Sequence, residues 1–172
     1  KLVATTEKPT SASFVIDRAP TATVVTAAGG TYTGSSIGGS AKVTGVNNLD
    51  QTLVVSYVGI EGTDYASSTT APTEAGKYRA TATYDQTTNY LTSSGSREFT
   101  IGQADAHVTF SGLTGQVYNG TAKSVTAATT PADLDGLSLS YDGSATAPTN
   151  AGSYIVAATL TNNNYKLVGT TQ

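Results

Sequence analysis

Side chains able to do chemistry are sparse in this sequence, and their spacing limits what that chemistry could be. His107 is the single histidine. General-base or triad chemistry needs an imidazole within hydrogen-bond reach of a nucleophile and an orienting acid. No such pattern is visible around His107, which falls at the start of a predicted strand and reads as a structural or exposed residue. Asp133 and Asp135 make one D-x-D. A calcium loop spaces several oxygen donors around a glycine turn, so this pair alone reads as a solvated turn. Glu61, Asp64 and Glu74 have the spacing of loop acids. Paired-carboxylate hydrolysis would need two of them on facing walls of a cleft, which a module of short strands does not suggest. Lys42 and Lys123, with Asn89 and Asn164, raise the idea of a Lys–Asn side-chain crosslink through a buried acid. No acid recurs with them, because Glu74 stands where the second half has Asn150, and this weighs against the bond. No residue is assigned to catalysis, to a cofactor or to a metal, and the expectation is a protein that is not an enzyme.

The elements that hold these residues repeat. Ala71-Pro72-Thr73-Glu74-Ala75-Gly76-Lys77-Tyr78 returns 76 positions later as Ala147-Pro148-Thr149-Asn150-Ala151-Gly152-Ser153-Tyr154. Tyr32-Thr33-Gly34 matches Tyr118-Asn119-Gly120, Ala41-Lys42 matches Ala122-Lys123, Leu53 to Tyr57 matches Leu137 to Tyr141, and Asn89-Tyr90 matches Asn164-Tyr165. The offset shrinks from 86 at Tyr32 to 75 at Asn89, so the first copy has a longer middle, expected around Gly59 to Ser68. Phe14-Val15-Ile16 pairs with Phe99-Thr100-Ile101, which sets a full period of 85 residues. Residues 1–16 accordingly read as the closing strand of a preceding repeat and residues 17–101 as the first repeat. Residues 102–172 read as a second repeat lacking its last strand.

Apolar residues alternate with polar ones along the predicted strands, as they do when one face of an antiparallel sheet is buried and the other wet. Tyr78, Ala80, Ala82 and Tyr84 share one face, with Tyr154, Val156, Ala158 and Leu160 in the second copy. Leu53, Val55 and Tyr57 match Leu137, Leu139 and Tyr141, and Phe99 and Ile101 face inward from the closing strand. Gly34 and Gly120 sit where a positive φ would finish a tight turn. About six or seven short strands per copy, separated by turn signals, predict an all-β chain of two tandem antiparallel β-sandwich modules of immunoglobulin-like type in an extended array.

Composition fits that picture. Charged residues make up 12% of the chain, about half the usual share of a soluble domain. With a net charge of −3 there is no basic stripe to neutralise phosphates, so nucleic acid is not an expected partner. No run approaches the roughly 20 apolar residues that span a bilayer, so no membrane insertion is expected either. There is no cysteine for disulfides or thiolate metal sites.

The run from Tyr118-Asn119-Gly120-Thr121-Ala122-Lys123 through Thr130-Pro131-Ala132 and Ser140-Tyr141-Asp142-Gly143 to the Ala147–Tyr154 motif and Asn163-Asn164-Tyr165 resembles an MBG repeat, the "mostly beta, glycine-rich" family. The second copy fits over nearly its whole length, and the first is more divergent. The resemblance implies tandem arrays in large secreted or wall-attached bacterial proteins, often adhesins, and brings no catalytic residues. It places the chain outside the cell, on a bacterial surface or wall. Two roles follow as expectations. The first is a structural stalk or spacer whose partners are the neighbouring repeats. The alternative is an adhesive module binding a host glycan or protein, for which Tyr65 is the candidate contact, because it lies in the extra middle of the first copy and has no counterpart in the second. The phase of the repeat adds a further expected partner. Residues 1–16 of one molecule could complete the second copy of another by strand addition, head to tail.

Overall fold

The computed structural model describes residues 11–171, which form twelve strands and no helix. Seven lie in the first copy: β1 (Thr21–Ala27), β2 (Gly30–Thr31), β3 (Gly39–Gly45), β4 (Leu49–Leu53), β5 (Ser56–Ile60), β6 (Gly76–Tyr84) and β7 (Ser93–Gly102). Five lie in the second: β8 (Ala104–Ser111), β9 (Thr126–Thr130), β10 (Leu137–Tyr141), β11 (Val156–Leu160) and β12 (Tyr165–Thr171). The first copy makes a sheet in the order β1-β3-β4 and another in the order β2-β7-β6-β5. In the second copy the sheets are β12-β8-β9 and β10-β11. Residues 1–10 lie outside the described residues, and residues 11–16 form no strand and are exposed.

Local chemistry accounts for these elements. The β3–β4 hairpin turns on Asn47 and Asn48, both with positive φ, the geometry that a two-residue loop needs to match strand twist. Gly34 and Gly120 have φ of 77° and 78°, which a side-chain-bearing residue would resist. The period-two reading of β6 holds: Tyr78, Ala80, Ala82 and Tyr84 are all buried, while Lys77 and Arg79 face solvent and pair with Glu61 and Glu98.

Packing unites the two sheets of the first copy. Val25 and Ala41 from the β1-β3-β4 sheet join Tyr57, Tyr78, Ala80, Phe99 and Ile101 from the other in one buried cluster. Phe99 stacks on Tyr78 at 5.6 Å between ring centroids and meets Tyr57 edge-on at 6.2 Å. A row of hydroxyls ties the sheets along a seam. Thr21 Oγ1 donates to the Leu91 carbonyl at 3.0 Å and to Ser93 Oγ at 2.7 Å, and Thr23 Oγ1 bonds Ser93 Oγ at 2.7 Å. Threonine on β1 therefore does more than satisfy a strand propensity; its hydroxyl bridges to β7 where no backbone ladder forms.

The repeat is visible in matched hydrogen bonds. Tyr57 N donates to Ser68 O and receives Ser68 N in return, and Tyr141 and Ser144 exchange the same pair. The extra residues of the first copy thus fall between Tyr57 and Ser68, where β5 runs on to Ile60 and the chain returns past Tyr65. Ile37 N donates to Pro72 O as Lys123 N does to Pro148 O, each at 2.8 Å. Lys123 is therefore the counterpart of Ile37, and the Ala41-Lys42 and Ala122-Lys123 match corrects to a coincidence of sequence. The Gly-Ser stretch before β3 shifts the register between them, and Lys42 lies on exposed β3, ion-paired to Asp50 at 2.8 Å.

The second copy departs in two places. It has no counterpart of β4, since Pro131, without an N–H to donate, and the Ala132–Gly136 turn occupy that stretch. Its last strand also takes a different partner. In the first copy the chain touches β1 through a parallel bridge from Ala19 to Tyr90 and then crosses to pair with β6 as β7. In the second, β12 runs parallel to β8 from Tyr165 opposite Ala104 to Thr171 opposite Thr109. Among the described residues β11 pairs with β10 alone.

Candidate functional site

The sequence elements singled out as chemical or divergent meet where the first copy passes into the second. One residue, Gln103, separates β7 from β8. Its side-chain amide donates to the backbone oxygens of Asn162 and Asn163, at 3.0 and 3.2 Å. The recurrent Asn-Tyr pair of the second copy then reaches back into the first. Asn164 Oδ1 accepts a hydrogen bond from Ala75 N at 2.8 Å, and its amide donates to the Glu74 carboxylate. Tyr165 meets Tyr32 edge-on, with ring centroids 5.4 Å apart.

Beside this contact lies a cavity of about 440 Å³ whose lining includes Glu61, Asp64, Tyr65, Glu74, Gln103 and Asn163. The longer middle of the first copy supplies one wall. The segment can lie close against β6 because Gly76 has no Cβ; one would sit 2.6 Å from Thr63 Cγ2. Tyr65 is half-buried, its ring edge-on to Tyr78 at 5.6 Å and its hydroxyl donating to Thr70 O at 2.7 Å. Tyr78 donates its own hydroxyl to Glu74 O at 2.8 Å. Burial pushes the Tyr78 phenol above its ordinary range, with the neighbouring Glu74 and Tyr65 adding to the rise.

The three loop acids read from the sequence do converge on this cavity, a proximity that spacing alone did not reveal. Two of them are already engaged, Glu61 with Lys77 and Glu74 with Asn164. What the cavity offers is an aromatic wall and carboxylate acceptors, a surface suited to polar contacts with hydroxyl-rich or amide groups. The other chemical candidates lie elsewhere. His107 is exposed on β8, and Asp133 and Asp135 lie in the turn after β9, with Asp133 at φ 55°. Among the described residues no group of three or more His, Asp or Glu is placed to hold a metal ion. Sequence reasoning missed the role of Asn164 as a clasp, although its recurrence with Asn89 marked it as a framework residue.

Fold and junction together define a β-rich repeat module, built twice and joined end to end by a short, hydrogen-bonded passage. Comparison with family models finds a match over residues 106–172, to the MBG domain. The second copy belongs to the MBG family, as its resemblance implied. Neither curated proteins nor solved structures give a match.

Proposed function

We propose that the chain is a structural spacer of a bacterial cell-surface or secreted adhesin, in which each copy is an immunoglobulin-like sandwich and the copies form a stiff, extended array outside the cell. The observation that carries this reading is the junction. A single residue between β7 and β8 leaves little slack, and the Asn164 clasp on Ala75 and Glu74 resists bending at the point where a flexible linker would yield. Repeats that contact mainly their neighbours extend in one dimension, which suits a stalk. The side chains of the junction serve cohesion between copies, and no catalytic role is assigned to any of them.

Small-angle scattering of the 172-residue chain tests the reading. The expected result is one narrow distribution of maximum dimension that broadens in Asn164→Ala. A wild-type chain that already samples bent and straight forms equally would sink the spacer role.

The cavity beside Tyr65 favours a second reading, an adhesive module for a host glycan or protein, because divergent residues of one copy gather there. Saturable binding to glycans, mucins or matrix proteins that is lost in Tyr65→Ala would establish it. No saturable binding leaves the spacer reading in place.

A further inference from the structure

The second copy carries an apolar groove that the first copy does not. Its volume is about 430 Å³, and its lining includes Leu113, Val117, Val125, Tyr141, Tyr154 and Val156. The first copy fills the corresponding place with β7. There Phe99 packs between Tyr57 and Tyr78, and Ile101 is almost wholly buried. In the second copy the matching tyrosines, Tyr141 and Tyr154, have no such phenylalanine, and Tyr154 is 38% exposed against 1% for Tyr78. The strand beside the groove is cut short as well. β6 begins at Gly76, but β11 begins only at Val156, the match of Ala80. Residues 152–155 match the part of β6 that pairs with Phe99, Thr100 and Ile101, and they lie outside any strand.

A sequence that fits this groove is present and unused. Phe14-Val15-Ile16 repeats the Phe-x-Ile of β7, lies in no strand, and leaves Phe14 84% and Ile16 81% exposed. The chain's other exposed apolar side chains include Leu113, Val117, Tyr118 and Ile155, which lie in or beside the groove. Two apolar surfaces that match a strand and its slot in the first copy are thus both open to water. Burying them together gains apolar contact and a backbone ladder at once.

We infer that residues 11–18 of one molecule add to β11 of a second copy of this chain as an antiparallel strand, so that molecules join head to tail. The register follows from β6 and β7: Phe14 lies opposite Tyr154, Val15 opposite Ser153 and Ile16 opposite Gly152. Such a contact is heterologous, one surface meeting a different surface, and therefore propagates into chains of molecules rather than closing as a two-fold dimer. The inference does not depend on the spacer role, because it concerns only the edge of β11 and the segment that fits it.

Cysteine pairing tests the register directly, since the chain has no cysteine of its own. The double variant Val15→Cys with Ser153→Cys uses outward-facing positions of the expected ladder, where Lys77 and Thr100 of the first copy are exposed. Under mild oxidation it should give a ladder of dimers, trimers and longer chains. Val15→Cys with Ala157→Cys, four residues out of register, should give at least tenfold less. Sedimentation equilibrium of the cysteine-free chain should show an average mass that climbs with concentration. Phe14→Ala with Ile16→Asp, at exposed sites that leave both cores intact, should hold the monomer mass. A ladder of equal yield from the out-of-register pair would overturn the inference. So would crosslinks confined within single molecules, or a wild-type mass that stays monomeric at millimolar concentration.

Discussion

Replacing the matched tyrosines of the two copies, Tyr78→Ala and Tyr154→Ala, sets one chemical change in two degrees of burial. The hydroxyl bond is nearly the same in both, Tyr78 to Glu74 O at 2.8 Å and Tyr154 to Asn150 O at 3.0 Å, so it cancels in the comparison. The rings differ. Tyr78 is 1% exposed, stacked on Phe99 and met edge-on by Tyr65. Truncating a buried aromatic ring costs about 3–5 kcal/mol once the cavity is included, and lost ring pairs place Tyr78 in the upper half of that range. Tyr154 has no ring partner among the described residues and keeps 38% of its surface in water. Its loss should cost about 1–2 kcal/mol, mainly partial burial and one hydrogen bond. Urea unfolding followed by far-UV circular dichroism would measure both. Peptide-resolved hydrogen exchange would assign each loss to its own copy, since tandem modules need not unfold together. Equal losses within about 0.5 kcal/mol, or less than about 1 kcal/mol for Tyr78→Ala, would refute the assignment of the inward face.

Two further perturbations follow from the same geometry. The Tyr78 phenol is raised above its unfolded value by burial first, so the unfolded chain gives up that proton before the folded one does. Stability of the first copy should be unaffected below about pH 10 and fall as pH rises beyond it; alkaline melts should show this slope flattened in Tyr78→Phe, and an unchanged slope would remove Tyr78 from the account. Gly95→Ala would place a Cβ 2.6 Å from the Thr23 carbonyl oxygen, at the point where β7 crosses β1. The sheets must part to admit it, at a cost of about 1–3 kcal/mol, which a shifted urea midpoint would report and an unmoved one would contradict.

The inward faces were legible in the sequence because tyrosine and alanine alternate so regularly in β6, and because Phe99 and Ile101 bracket a polar residue. Turn positions were legible for a similar reason, glycine marking the positive φ at Gly34 and Gly120. Pairing was less so. Nothing in Tyr165-Lys166-Leu167-Val168 says whether the strand follows β8 or crosses to β11, since alternation specifies a face and leaves the neighbour open. The lysine match misled because small polar residues recur by composition, and the Pro72 and Pro148 carbonyls, each bonded to one amide, were needed to set the register. The convergence of Glu61, Asp64 and Glu74 beside Tyr65 depends on a hairpin that folds back over β6, a tertiary fact with no local signal. Asn164 was visible as a repeated residue, but its partners lie 89 and 90 positions away.

The parallel lie of β12 against β8 has a mechanical consequence. A pull entering at Ala104 and leaving at Thr171 acts on opposite ends of two strands that run side by side. The load then slides one strand along the other, and the hydrogen bonds between them are strained together. An antiparallel hairpin pulled at its open end would instead surrender its bonds one after another. The first copy has the same arrangement in miniature at Ala19 and Tyr90, reinforced by the Thr21 and Thr23 hydroxyls on Ser93. Under tension each copy is gripped across its width, so the force needed to open it exceeds what its modest core alone would suggest.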